Sequence, residues 1–516
     1  MSTRLGYTSF MVTDTREIEL KYEAGPDTVL PPLEDLPRVA SEAGPDEQKL
    51  EAEYYDTEDL RLLRAGVTLR RRRGGKDSGW HLKLPAGPQT RRELRLPLGR
   101  SGRTVPAELA RLVTVYSRGR ALAPVARIAT VRHVRTLVDA AGTSLAEVVA
   151  DEVSAQTLGE STTISTWREV EVELTGGDRQ LLRAADKRLR RGGLQPSGRT
   201  AKLERALADA LPSAGETKRP RRGSAAGVVL DYAAEQADKL KALDPAVRRD
   251  EPDAVHQMRV TTRRLRSTFQ SFGQILRADD TSHLAGELRW LGHVLGDARD
   301  NEVLPEHIDA ELKQVPVELV MGPVPARLRE HFAPLAAQSR KDALAALDSE
   351  RYFALLDELD QILAQPPLGP AAGQPAKKAL AHAVRRTYKR TAKRMGRAEQ
   401  AHAGEPTNVA LHAARRAAKR SRYAAETATP VYGKQAKRFG KQMKKIQSSL
   451  GDHQDAVIAR NTLREIGVRA HLEGENAFTY GLLYEHNSTV VRDSERRGRQ
   501  AWKRASRPKY RRWLKK

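Results

Sequence analysis

The chain has 516 residues, enough for more than one domain, and its 39% hydrophobic and 30% charged residues are compatible with globular structure. With 90 Lys and Arg against 66 Asp and Glu, the formal net charge of +24 favours a polyanionic partner, whether nucleic acid, anionic membrane or polyphosphate. Cysteine is absent, which excludes disulfides and thiolate metal sites. No segment is apolar for long enough to span a bilayer. The opening MSTRLGYTSFMVTDTRE lacks the apolar core of a secretory signal, and Met11 is an alternative start. A cytoplasmic location is expected.

From about Arg16 to Pro212 short alternating runs dominate: EIELKYE, TLRRRR, WHLKLP, RRELRL, ATVRHVRTLV, LAEVVADEV and WREVEVEL, separated by turn residues. This is the pattern of a many-stranded antiparallel sheet. Helices are expected over Leu181–Arg191 and Thr200–Leu211. The polar faces are unusual, because they carry strong charges of both signs. Glu17, Glu19 and Lys21 share a face opposite Ile18 and Leu20, and Arg70 and Arg72 lie opposite Leu69. His81 and Lys83 lie opposite Trp80, Leu82 and Leu84, and Glu169, Glu171 and Glu173 opposite Val170, Val172 and Leu174. Period-two geometry makes these groupings firm in a strand. On one strand they would mark a solvated face with cross-strand ion pairs. Repeated on strand after strand, they are explained by a closed barrel with a charged lumen.

The segment PSAGETKRPRRGSAAG, Pro212–Gly227, reads as a linker, with 213–226 separating the two domains. Beyond it, over 227–516, the pattern is helical, and QPPLGPAAGQP divides it into halves at about 227–365 and 376–516. The halves repeat. His256, Arg259, Arg263 and Arg266 match His412, Arg415, Lys419 and Arg422 at identical spacing, and LGDARD at Leu295 matches LGDHQD at Leu450. An internally duplicated helical bundle follows. On a helix each set of four falls within an arc of about 80°, so two such stripes could face one another around a shared anion. The aspartates of the LGD segments, Asp297, Asp300, Asp452 and Asp455, would cap helices or orient the basic side chains. The final KRASRPKYRRWLKK is expected to be a flexible basic tail.

EIELK at Glu17–Lys21 resembles the Glu-x-Glu-x-Lys signature of the CYTH, or triphosphate tunnel metalloenzyme, family. YYDT at Tyr54, LRRR from Leu69, WHLKLP, Arg91-x-Glu93 and the Glu-x-Glu-x-Glu from Glu169 follow in the family's order, so the resemblance covers about the first 210 residues. It implies an α+β architecture for residues 1–212, an antiparallel β-barrel tunnel with flanking helices. It also implies metal-dependent triphosphate hydrolysis. The phosphate-binding set it implies is Lys21, Arg70, Arg72, Lys83, Arg91, Arg132 and Lys202, with Arg135 the competing register for Arg132. The set implied to hold Mg²⁺ or Mn²⁺ is Glu17, Glu19, Glu169, Glu171 and Glu173, with Glu93, Glu147 and Asp151 as catalytic or water-positioning groups. Such a lumen suits the chemistry: Lys and Arg bind phosphate oxygens, and carboxylates make sense beside phosphate only as ligands of a hard cation.

The stripe pattern and its Leu-Gly-x2-Arg/Gln-Asp companion resemble the CHAD domain, the conserved histidine α-helical domain, which implies polyphosphate binding by all eight stripe residues and association with polyphosphate granules. Nucleic acid is the rival polyanion. It is disfavoured because aromatics are only 5% of the chain and do not interleave with the stripes. Inorganic triphosphate is the default substrate. The competing readings are a non-catalytic polyphosphate-binding protein and, third, a nucleic-acid-binding one.

Overall fold

The computed structural model describes residues 13–87, 90–99, 102–159, 162–199, 201–211, 220–221 and 223–515. The chain divides into two compact units, Met1–Gly215 and Glu216–Lys516.

The first unit contains strands β1 (Thr13–Ala24), β2 (Ser41–Asp56), β3 (Thr68–Arg73), β4 (Gly79–Gly87), β5 (Thr90–Leu96), β6 (Ala123–Val138), β7 (Ser144–Thr157) and β8 (Ile164–Leu174), and a two-residue β9 (Gln195–Pro196). Its helices are α1 (Arg61–Arg64), α2 (Ala107–Ser117), α3 (Arg179–Arg191) and α4 (Lys202–Ala206). Among the described residues the strand order is β5-β4-β3-β2-β6-β7-β8-β1, and β1 pairs back onto β5, so eight antiparallel strands close a barrel. The alternating runs are all strands. The strand that sequence reading did not mark is β2, whose first residues, SEAGPDEQK, are mostly exposed and show no apolar alternation.

Helix α3 covers the outside of the barrel. Asp178 caps it, its Oδ1 accepting from the Gln180 and Leu181 amides at 2.8 and 3.0 Å. Its buried stripe of Leu181, Leu182, Ala185 and Leu189 packs on Tyr22, Val148, Val170 and Val172, the outward members of the alternation. The inward members are the charges. The helix expected over Thr200–Leu211 is shorter: Thr200 lies outside the described residues, and α4 ends at Ala206. Leu203 and Leu207 pack with Tyr54, Ile128, Val153 and Trp167, which plugs one stretch of the barrel interior with apolar groups.

The second unit is helical: α5 (Ala225–Arg248), α6 (Ala254–Ser271), α7 (Ala278–Leu312), α8 (Val324–Leu347) and α9 (Glu350–Ala364), then α10 (Ala376–Gln400), α11 (Glu405–Thr427), α12 (Thr429–Tyr432), α13 (Lys434–Leu472), α14 (Phe478–Ala505) and α15 (Pro508–Arg511). Much of the 213–226 linker lies outside the described residues, but its end is not linker. Ser224 caps α5, its Oγ accepting from the Gly227 amide at 3.1 Å. Helices α6 and α11 join the two halves, and Arg264 Nε donates to Glu426 across them at 3.1 Å. The expected flexible tail is instead packed: Trp513 and Leu514 are buried, and Trp513 meets Tyr432 and Phe439 with ring centroids 4.5 and 5.9 Å away. Aromatic anchoring outweighs the repulsion of the basic residues around it. Among the described residues no helix is long and apolar enough to cross a membrane.

Candidate functional site

The barrel register places the expected tunnel residues on the inner face. Lys202 enters from α4, and its Nζ lies 2.8 Å from Asp151, 2.7 Å from Glu169 and 3.0 Å from Glu171. Oxygens of those three carboxylates lie within 4.8 Å of one another, and all three residues are buried. Arg132 grips Asp151 with two bonds of 2.9 and 2.7 Å and reaches Glu171 at 3.5 Å. Lys21 pairs with Glu171 and lies 3.4 Å from Glu19. Lys83 pairs with Glu17 and lies 3.8 Å from Glu93. Arg70 sits 3.8 Å from Glu93 and donates to the Tyr54 hydroxyl at 3.3 Å. Arg91 donates to the Gly66 carbonyl at 3.0 Å and lies 4.0 Å from Glu19. The open register choice is resolved: Arg132 is inside, while Arg135 pairs with Glu42 at 2.9 Å.

In the helical unit, the stripe of α6 faces that of α11. Arg259 bonds Asp300 at 2.7 and 3.2 Å, and Arg415 lies 3.8 Å from Asp455. Both aspartates lie mid-helix, so they orient arginines rather than cap. A Cβ on Gly296 would lie 3.3 Å from Arg259 Nη2, and one on Gly451 3.1 Å from Arg415 Nη2. The glycine of each Leu-Gly-Asp therefore lets a guanidinium lie flat on the helix, and the Nε of both arginines has no hydrogen-bond partner among the described residues. His412 Nδ1 meets Gln454 Oε1 at 2.8 Å. Arg422 departs from the stripe pattern, since it is held by Glu426 at 2.8 Å and Gln447 at 3.1 Å.

The CYTH domain family matches residues 15–200 and the CHAD domain family residues 231–464. An uncharacterized protein of Mycobacterium tuberculosis (strain CDC 1551 / Oshkosh) is 38% identical over 488 residues, 92% of this chain and 93% of its own. The chain belongs to the proteins that join a CYTH domain to a CHAD domain. Among solved structures, PptA from Streptomyces chartreusis aligns at 20% identity over 54% of this chain and 99% of its own, with a TM-score of 0.46. The CHAD domain of the plant Ricinus communis aligns at 24% over 57% and 92%, with a TM-score of 0.40. CYTH domains are metal-dependent triphosphatases or cyclases, and this one has a buried acidic cluster.

Electrostatics divide the CYTH carboxylates into two groups. Burial pushes Glu171 and Asp151 up, but Lys202, with Lys21 and Arg132 on Glu171 and Arg132 on Asp151, outweighs it and holds both below the usual carboxylate range. The second group gathers around Glu173. Glu173 lies directly opposite Glu19 on β1 and Glu147 on β7. It has no ion-pair partner among the described residues, and burial followed by Glu17 pushes it up to about 7. Like charges side by side across strands are destabilising. A hard, oxygen-preferring cation would relieve them, so this donor set fits Mg²⁺ or Mn²⁺. Of the expected metal set, Glu17, Glu19 and Glu173 belong here, while Glu169 and Glu171 join Asp151 around the Lys202 ammonium.

Three residues of the CYTH lumen were not marked as functional from sequence. Asp77, in the β3–β4 turn, pairs with Arg72 and lies 3.6 Å from Arg95. Arg95 also pairs with Glu93 and lies 3.5 Å from Glu17. His81 is buried, with Nε2 2.8 Å from the Asp77 carbonyl and Nδ1 3.0 Å from Glu93. A carbonyl only accepts, so Nε2 carries a hydrogen, and the Nδ1 contact needs one more proton between ring and carboxyl. Burial, with Arg70 and Arg72, opposes a charged ring and pushes His81 down to about 3, against the hydrogen bond to Glu93. The signal for Arg95 was available: it continues the period-two row of Arg91 and Glu93.

In the CHAD domain burial and then the convergence of cations lower the basic groups of the stripes. Burial and then Arg415, Arg263 and Arg259 push the Lys419 ammonium down to about 6, against Asp455. Burial and Arg259 push Arg263 down to about 10. Arg266 is lowered by burial, Arg289 and Arg416, so it faces a different cationic group. Burial lowers His256 and His412 from the ordinary histidine value.

Proposed function

We propose that the chain hydrolyses inorganic triphosphate in its CYTH lumen, with Mg²⁺ or Mn²⁺, and binds polyphosphate through the CHAD stripes. The observation that carries this reading is the two-sign lumen: phosphate-binding cations, each held by a carboxylate, beside Glu173, a carboxylate with no ion-pair partner among the described residues that lies opposite Glu19 and Glu147. Arg70, Lys83, Arg91 and Arg132 bind phosphate oxygens and orient the chain. Arg72 is pushed down to about 9 by burial, then Arg70 and Arg132, so an arriving anion recovers a strong interaction there. Glu17, Glu19 and Glu173 would hold the cation, with Glu147 beside them. When bound, the metal supplies charge neutralisation and Lewis-acid polarisation of the phosphoryl oxygens. Glu93, fixed by His81 and Arg95, holds Arg70 and Lys83 in place. On this reading the protein works in the cytoplasm, on polyphosphate granules.

A second reading, a polyphosphate-binding protein with an inactive tunnel, is favoured by one feature: the Lys202 ammonium already fills the centre of the Asp151, Glu169 and Glu171 cluster. Phosphate release from a panel of triphosphates, with and without divalent metal, separates the two. Inorganic triphosphate should turn over only with metal, and Glu19→Gln should abolish that turnover while far-ultraviolet circular dichroism is unchanged. No release under any condition supports the second reading, and full activity in Glu19→Gln removes Glu19 from the metal set.

A further inference from the structure

Helices α13 and α14 form the walls of an open groove of about 420 Å³, lined by none of the stripe residues. A Cβ on Gly467 would meet the Tyr480 side chain at 2.9 Å and one on Gly498 would meet Leu450 at 2.5 Å, so the two helices run antiparallel and closely packed. Lys441, Lys444, Lys445 and Ser448 are spaced to share one face of α13, about 10 Å long at 1.5 Å per residue. Arg497 and Arg504 line the facing wall on α14. All five cations are exposed. Arg497 bonds Asp452 at 3.1 Å, but Lys441, Lys444, Lys445 and Arg504 have no ion-pair or hydrogen-bond partner among the described residues.

The groove is private to the second half of the duplication. Counting back from the matched Leu450 and Leu295, the counterparts of Lys441, Lys444 and Lys445 on α7 are Gly286, Arg289 and Trp290. Trp290 is covered by Arg351, whose guanidinium lies 4.2 Å from its ring centroid. Two of the three lysines, Lys441 and Lys445, therefore have no cationic counterpart in the first half. Unpaired cations at this density repel one another and cost stability unless an anion meets them. No aromatic ring lines the groove, so it offers phosphate contacts without a stacking platform for bases.

We propose that the α13–α14 groove is a second binding site for a linear inorganic polyphosphate, separate from the α6 and α11 stripes. Ser448 and Ser449 add hydroxyl donors to its lining. The inference rests on the reading that the CHAD domain binds polyphosphate and gives the chain a second hold there. Two holds on one polymer raise avidity for long chains over short ones.

The test uses the full chain carrying Lys441→Ala, Lys444→Ala and Lys445→Ala, titrated with long-chain polyphosphate and with single-stranded RNA. Affinity for polyphosphate should fall about tenfold at low salt, and the slope of log K against log salt should shrink by about two. The melting temperature and triphosphate hydrolysis should not change. If the triple variant melts early, Lys444→Glu alone should produce the loss. The proposal is overturned if Lys377→Ala, Lys378→Ala and Lys389→Ala on exposed positions of α10 weaken binding equally, or if only RNA binding falls. Arg263→Ala with Lys419→Ala separates the two sites. Loss there with none at the groove sinks the groove and keeps the stripes; loss at the groove alone does the reverse.

Discussion

Lys202 enters the lumen from a helix of only five residues and lies within 3.0 Å of three buried carboxylates. Its removal leaves Glu169 without its ion-pair partner and three carboxylates converging in a low-dielectric interior, a loss of about 3–5 kcal/mol. Lys202→Met should melt well below the parent in chelator, and Mg²⁺ or Mn²⁺ should recover part of the loss, since three carboxylate oxygens then await a cation. A melting temperature as insensitive to metal as the parent's would show that the cluster serves only Lys202. Lys419 gives a prediction of opposite kind. Its folded value of about 6 lies below the ordinary 10.5, so between those values the unfolded chain holds a proton that the folded chain lacks. Stability from this group therefore rises with pH across that window. Polyphosphate binding has the reverse sign, because the anion restores the charge. At pH 7.5 binding should take up a proton, and affinity should rise as pH falls toward 6. Calorimetry in two buffers of different ionisation heat measures the uptake, which should vanish in Lys419→Gln. At this scale the lumen residues on regular strands were legible from period two alone. Asp77 was not, because a turn aspartate carries no periodicity to say which way it points.

Helices and strands differ in how much of them could be read. The β1, β4 and β8 runs announced both their conformation and their inward face, because every second residue is charged or polar and nearly every other one apolar. Strand β2 was hidden: an exposed strand stretch has no reason to alternate, and apolar residues appear only from Leu50 onward. Helix α4 was overdrawn for the same reason in reverse, since its apolar residues suit either a helix or a plug in the barrel interior. The repeated Leu-Gly-Asp was visible as a repeat, but the purpose of its glycine appears only when Arg415 is seen lying on Gly451. Ala for Gly within a helix ordinarily stabilises by about 0.5–1 kcal/mol. Gly451→Ala should keep or raise the melting temperature, yet a Cβ 3.1 Å from Arg415 Nη2 displaces the guanidinium, so polyphosphate affinity should fall. Unchanged affinity would mean that the arginine's seat on the helix is irrelevant to anion binding.

For the whole molecule, the domain order and the duplication were visible because they rest on long-range spacing, which survives errors in any one element. The packing of the C-terminal tail was not, because the sequence there is dominated by its charge, while its structure is decided by Trp513 alone among a basic run. The division of labour follows from where each group originates. Every lumen residue, from Glu17 to Lys202, lies in the unit that ends at Gly215, and both stripes lie in the unit that follows. A fragment ending at Gly215 should therefore hydrolyse inorganic triphosphate with kcat/KM close to that of the full chain, while losing affinity for long polyphosphate. The fragment beginning at Glu216 should bind polyphosphate and release no phosphate from triphosphate. Measured side by side, these two fragments and the full chain separate catalysis from capture. A soluble, folded first fragment that is inactive, beside an active full chain, would mean that the helical unit completes the site, and the assignment of the lumen as self-sufficient would fall.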